Sequence, residues 1–220
     1  MAIRINGGTV LDPERISGKA DLVIEDGVIV KILEPGEPLA GVALEREIDA
    51  TGRLVTPGLI DMHVHLREPG FEYKETIETG CRAAVRGGFT ALCCMPNTKP
   101  VNDNRQVTEY ILQKAREAGY ARVYPAAAIS ASSKGQSLCE YGELKEAGVV
   151  ALTDDGLPVA NAQMMRRALE YAKGFGLPII SHCEDMDLVA GGCMNEGPVA
   201  TRLGLAGIPN LSESLMVMRD

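Results

Sequence analysis

All three histidines in this sequence close an apolar run: His63 and His65 in LIDMHVHL, and His182 in LPIISHCED. Near-continuous apolar runs of this length are strands buried on both faces. Side chains alternate along a strand with a period of two, so a His-x-His pair turns both rings to one side. The intervening Val64 points the other way. Two imidazoles on one face can grip one metal ion. A single histidine is ordinarily a core or surface residue, but histidines spent only at strand ends are expected to be metal ligands. An acidic pair closes a further run, VVALTDDGLPV, where Asp154 and Asp155 precede a turn glycine. One of them suits a hard oxygen ligand bridging between metal ions; the alternative is a turn or N-cap aspartate for the next helix. Spacing alone does not choose between the two. Asp61, two residues before His63, is expected to orient an imidazole, with direct ligation as the alternative.

The elements that must position these groups change character near residue 57. Before it stand short β-type runs, Thr9 to Leu11, Asp21 to Glu25, Val28 to Leu33 and Glu45 to Ile48, with a hairpin expected around Asp26-Gly27. After Pro57-Gly58 the pattern becomes strand, loop and amphipathic helix, repeated, as in parallel α/β proteins. Five strands are expected, at 59–65, 89–95, 122–128, 149–154 and 177–183. Helices are expected at 74–86, 104–118, 138–147 and 160–174, then at 185–193 and 198–219. Periodicity does not separate a (β/α)8 barrel from a doubly wound sheet. Chemistry does, since only the barrel brings the ends of many strands to one centre.

The remaining composition narrows the function. With 220 residues, 45% of them hydrophobic, the chain is long and apolar enough to bury a core. No apolar run reaches the ~18 residues of a membrane helix, and the N-terminus has no signal or transit pattern, so a cytoplasmic protein is expected. A net charge of −8 and the lack of a Lys/Arg cluster disfavour nucleic acid. The six cysteines show no C-x-x-C pair; Cys93 and Cys94 sit side by side in an apolar run, as small hydrophobes do. A small-molecule substrate or a protein partner fits better than a polyanion or a membrane.

The stretch PGLIDMHVHLREPG, then GGFTALCCMPNT, TDDG and ISHCED, resembles class I dihydroorotase, in order and in spacing, from VLDP near the start to EGPVATRLGLAGIP near the end. The resemblance implies an α/β fold: a partial (β/α)8 TIM-type barrel over residues 57–220, with about five of eight strands, preceded by a small β-sandwich segment over residues 1–56. It implies Zn2+, two ions per complete site, with His63 and His65 as ligands of the first, His182 of the second and Asp155 as the bridging carboxylate. Arg67, in HLREPG, matches the group that holds the substrate carboxylate, a task suited to a planar guanidinium, and Asn97, in MPNT, matches a second substrate contact beside His65. On its own Arg67 reads equally as half of a surface ion pair, and Asn97 as a turn residue.

The implied reaction is the reversible cyclisation of N-carbamoyl-L-aspartate to dihydroorotate in pyrimidine biosynthesis. Other cyclic amidohydrolases, allantoinase or dihydropyrimidinase, would share the histidines, but many of these bridge their metals with a carboxylated lysine, and the run GVVALTDDG contains none. A non-catalytic homologue, for instance a partner of aspartate transcarbamoylase, is the third possibility, and a homodimer is a further expected association. The family carries one more histidine on its sixth strand and a proton-shuttling aspartate on its eighth. These 220 residues contain neither position and are expected to be inactive alone.

Overall fold

A computed structural model describes residues 2–12 and 15–220; Pro13, which closes the VLDP stretch, lies outside them. The chain divides into two compact units, Met1–Gly58 and Leu59–Asp220.

The first unit is a mixed sheet of β1 (Ala2–Asp12), β2 (Ile16–Glu25), β3 (Val28–Leu33), β4 (Leu44–Asp49) and β5 (Leu54–Val55). Its order is β3-β2-β1-β4, with β5 also paired to β1. The β2–β3 hairpin turns at Asp26-Gly27, where both residues take positive φ, 49° and 78°, the backbone whose twist matches a two-residue turn. The first strand is longer than the expected Thr9 to Leu11. Its pairing register shifts between Ile5 and Gly8, and this bulge breaks the alternation that would have marked the strand in sequence. Arg4 and Asp21 form a buried ion pair at 2.6 Å; Asp21 also accepts from the Gly7 and Gly36 amides, and Arg4 donates a second bond to the Glu37 carbonyl while its Nε stays buried without a partner among the described residues.

The second unit is a parallel half-barrel. Its strands β6 (Leu59–Val64), β7 (Phe89–Cys94), β8 (Arg122–Ala127) and β9 (Ala151–Leu152) pair in chain order. Between and after them run α1 (Ile77–Arg86), α2 (Arg105–Ala118), α3 (Tyr141–Ala147) and α4 (Ala162–Lys173). The expected fifth strand, 177–183, is present as a single parallel bridge, Leu152 to Ile179. Pro178 has no amide hydrogen to give, so pairing there is limited to its carbonyl, which accepts from Leu152, and to the Ile180 amide, which donates back to Leu152. The helix expected over 198–219 is instead α6 (Pro198–Leu203) and α7 (Leu211–Arg219), and the one expected over 185–193 shrinks to α5 (Met186–Val189). Gly204 in the left-handed region ends α6, and Pro209 precedes α7; two short strands, β10 (Met194–Asn195) and β11 (Gly207–Ile208), pair across the gaps.

The core explains how the strand ends are held. Leu92 and Cys94 of β7 face α1 and α2, where they pack with Ile77, Cys81, Val107 and Ile111. Cys93 and Met95 face the opposite side with Ala126 and Ala151. The adjacent cysteines are therefore core residues of two different layers, and burial raises both thiol pKa values. Helix α1 starts at a capping box built from Thr76 and Thr79, and Asn104 and Asn161 cap α2 and α4 with their side-chain oxygens. Ile60 and Met62 of β6 are 65% and 74% exposed, which leaves an apolar strip along that edge of the sheet.

Two loops at the strand ends are locked together. Gly70, at φ 95°, lies so close to the next loop that an added Cβ would stand 2.1 Å from the Lys99 carbonyl oxygen, and the Lys99 amide donates to the Pro69 carbonyl at 2.9 Å. Gly135, at φ 65°, has open space where a Cβ would sit. A left-handed non-glycine residue costs roughly 1–2 kcal/mol, so Gly135→Ala should lose about that much in urea unfolding followed by circular dichroism. Gly70→Ala adds a backbone overlap and should lose about 3 kcal/mol or more; equal losses for the two variants would mean that the loop contact carries no energy.

Candidate metal centre

His63 and His65 stand at the end of β6 and just beyond it. Between Asp61 and Val64 the pairing with β7 shifts register, and Val64 turns toward the α1/α2 core while the two histidine rings turn the other way. The rings meet edge to face, 5.2 Å between centroids at 71°. Asp155 reaches them from the turn after β9. His63 Nε2 is 3.1 Å from Asp155 Oδ1, and His65 Nε2 is 3.7 Å from Asp155 Oδ2. His182, beyond the Ile179 bridge, points Nδ1 at Asp155 Oδ1 from 4.0 Å. Among the described residues, His63, His65 and Asp155 form a group whose ligand atoms all lie within 4.8 Å of one another; His182 stands just outside that group.

The neighbouring acid has a different task. Asp154 is 2% exposed and accepts hydrogen bonds from the Ser130 amide, at 3.0 Å, and from the Ser130 hydroxyl. Burial pushes its carboxyl above the usual carboxylate range, against the Ser130 bonds that favour the charged form. The chain turns from Asp154 onward, the Leu157 amide donating to the Asp154 carbonyl, so one carboxylate ties the end of β9 to the loop after β8 and the other faces the histidines. Asp61 was expected to steady an imidazole; its Oδ1 instead accepts from the His63 backbone amide at 3.1 Å. It therefore shapes the bulge that aims His63 rather than touching a ring.

Arg67 follows β6 in a left-handed conformation, φ 63°, and its carbonyl accepts from the Phe71 amide. Its guanidinium makes no ion pair or hydrogen bond among the described residues. Asn97 lies in the loop after β7, its Oδ1 3.0 Å from His65 Nδ1 and its Nδ2 3.0 Å from Asp155 Oδ2.

Three further residues of the site were not singled out from the sequence. Glu184 places Oε2 3.2 Å from His182 Nε2. Its signal was available, as an acid two residues after a candidate ligand. Asn102, fully buried, donates to the Ala126 carbonyl and accepts from the Thr108 hydroxyl, joining the β7 loop to β8 and α2. Glu68 is buried beside Arg67, accepting from the Ile77 amide and the Tyr110 hydroxyl. Neither residue advertises its burial, because Asn and Glu are usually surface residues.

The donor set fits a divalent metal of intermediate softness. A carboxylate only accepts hydrogen bonds, so the Glu184 contact puts the proton of a neutral His182 on Nε2 and leaves Nδ1 bare toward Asp155. A lone pair and a carboxylate oxygen aimed at each other repel unless a cation lies between them. Among the described residues no lysine or arginine pairs with Asp155, although its side chain is only 8% exposed. Nitrogen and oxygen donors of this kind suit zinc and its neighbours in the first transition row.

A parallel half-barrel with imidazoles and a carboxylate gathered beyond its strand ends is a barrel-type α/β fold with a candidate metal site at its strand ends. Among solved structures, the chain is similar to an L-hydantoinase (dihydropyrimidinase) from Arthrobacter aurescens, with a TM-score of 0.77 at 19% identity over 99% of this chain and 49% of that one. A D-hydantoinase structure gives a TM-score of 0.68 at 23% identity, over 100% of this chain and 48% of that one. At such identities the likeness concerns the fold. The Dihydro-orotase-like family model matches residues 52–220, and the chain belongs to that family. It is 57% identical over its whole length to the dihydroorotase of Desulforapulum autotrophicum, and 58% identical over 100% of its length to that of Syntrophotalea carbinolica. The chain spans about half the length of these curated relatives, 51% of each.

If Asp155 is the shared ligand, Asp155→Ala should lower cobalt(II) affinity at least about tenfold, measured by absorption titration, since it removes the carboxylate whose two oxygens face three imidazoles. Asp154→Asn should leave that affinity close to the parent's while lowering the unfolding midpoint. The reverse pattern would give the ligand role to Asp154.

Proposed function

We propose that this chain supplies the N-terminal part of a dihydroorotase, which interconverts dihydroorotate and N-carbamoyl-L-aspartate by opening and closing a ring amide. The observation that carries this reading is the 57% identity over the full length of the chain to a curated dihydroorotase. We assign residues 57–220 to the first part of the barrel and residues 1–56 to the first part of a small β-sandwich. The cofactor is zinc, two ions in the complete site. His63 and His65 would hold the first ion, His182 the second, and Asp155 would bridge them. Zinc held there supplies Lewis-acid chemistry, polarising an amide carbonyl and acidifying water toward neutral pH.

The protein groups define what the site accepts. Dihydroorotate carries a carboxylate beside its cyclic amide. Arg67, free of protein partners among the described residues, is the counter-charge for that carboxylate and would fix the ring with two parallel hydrogen bonds. Its left-handed backbone and the close approach of Gly70 to Lys99 constrain the loop from which the guanidinium would reach the substrate. His65 and Asn97, 3.0 Å apart, would meet polar atoms of the ring. A hydantoin or dihydropyrimidine lacking the carboxylate gives Arg67 nothing to pair with, and the arginine would count against binding it.

No helix of the described residues is long and apolar enough to cross a membrane. We place the enzyme in the cytoplasm, acting on small molecules, and associating with a second copy or with aspartate transcarbamoylase as the family resemblance implies.

Loss of a charge-assisted bidentate pair costs about 2–3 kcal/mol. In the full-length enzyme Arg67→Met should therefore raise KM for dihydroorotate by roughly 30-fold or more, in a steady-state assay of ring opening. An unchanged KM would remove the clamp role from Arg67.

A further inference from the structure

We propose that Asn97 is a positioning residue of the metal centre: its carboxamide selects the His65 tautomer that leaves Nε2 free to bind metal, and holds one oxygen of Asp155 beside it. The inference rests on the reading of His63, His65 and Asp155 as metal ligands given above.

The argument begins at Asp155. An ionised carboxylate has no proton to give, so the 3.0 Å contact between Asn97 Nδ2 and Asp155 Oδ2 settles which end of the amide points which way. The amide carbonyl then faces His65 Nδ1, also at 3.0 Å. A carbonyl oxygen only accepts, so the proton of a neutral His65 sits on Nδ1, and Nε2 carries the lone pair. That lone pair is turned toward Asp155 Oδ2, 3.7 Å away. Asp155 and His65 thus become two donors prepared for the same cation, and the group that prepares both is Asn97.

A residue that served only to meet substrate would have no need of these bonds. The carboxamide is carried on a turn that cannot swing freely: the Pro96 carbonyl accepts from both the Thr98 and Asn102 amides, and the Thr98 hydroxyl donates to the Pro100 carbonyl at 2.7 Å. One amide hydrogen of Asn97 goes to Asp155, which leaves the second for a ligand in the mouth. Through Asn97, an atom of the substrate can feel the orientation of a metal ligand.

The test has a readout that needs no turnover. In 15N-labelled, metal-free protein, long-range proton–nitrogen correlations of the imidazoles, with His65 assigned by comparison with His65→Gln, should show His65 protonated on Nδ1. Asn97→Ala should move it to the Nε2–H form that free imidazole side chains prefer, and cobalt(II) affinity should fall about 10–100-fold. Asn97→Asp keeps an oxygen facing His65 and should retain the Nδ1–H form, so the inference stays testable if the alanine variant folds poorly. An Nε2–H tautomer in the parent protein would overturn the proposal. So would an alanine variant with unchanged cobalt affinity and a raised KM for dihydroorotate, which is the signature of a substrate contact alone. A parent protein that shows the Nδ1–H form yet binds no cobalt would refute the metal-centre reading itself, and this role with it.

Discussion

The Asp155 carboxylate, almost enclosed and without a basic partner among the described residues, faces three imidazoles that come from two other strand ends. Such a carboxylate is costly to bury unless a cation or a set of hydrogen bonds answers it. Much of the second unit serves to hold that arrangement: parallel strands paired in chain order, helices packed against them, and loops that bring the side chains together. The convergence is long-range in sequence, since Asn97 and Asp155 are 58 residues apart and His65 and Asn97 are 32 apart. None of these contacts can form before neighbouring strands have paired across their crossover helices.

A layer of buried polar groups beneath the site does the aligning. Asp154 on Ser130, Asn102 between Ala126 and Thr108, and Glu68 on Ile77 and Tyr110 each tie the end of one strand to the next strand or helix. Each is a polar side chain placed where an apolar one would pack well enough. What it adds is direction, because a hydrogen bond fixes orientation in a way that dispersion contacts do not. The thiols of Cys94 and Cys139 contribute packing. Burial pushes Cys139 up to about 12 and Cys94 higher still, so neither offers a thiolate to a metal near neutral pH.

The sequence makes the chemistry of the site more legible than its supports. The histidines announce themselves because the chain spends them nowhere else, and the strands before them are nearly continuous apolar runs. The choice between Asp154 and Asp155 is not visible in TDDG. Which of the two faces the histidines depends on how the chain turns after β9, where Asp154 is held by Ser130, 24 residues earlier. The fifth strand looks as convincing as the others in LPIISHCED, yet Pro178 and the turn toward His182 reduce it to one bridge. The final helix fails for a local reason: the apolar periodicity of 198–219 continues through Gly204 and Pro209, which a period count does not penalise enough. β1 fails in the opposite direction, its alternation hidden by the bulge at Gly7-Gly8.

The contact between Gly70 and Lys99 also bears on how such a site can change. Barrel enzymes diversify by altering the loops after their strands one at a time. Here the loop bearing Arg67 and the loop bearing Asn97 meet with less than a methyl group of space between them. An insertion in either would displace the other, so for the purpose of variation the two loops are a single part. This pair of loops is therefore free to drift by exchange of side chains but not by growth, and changes in length are left to segments that do not meet one another so closely.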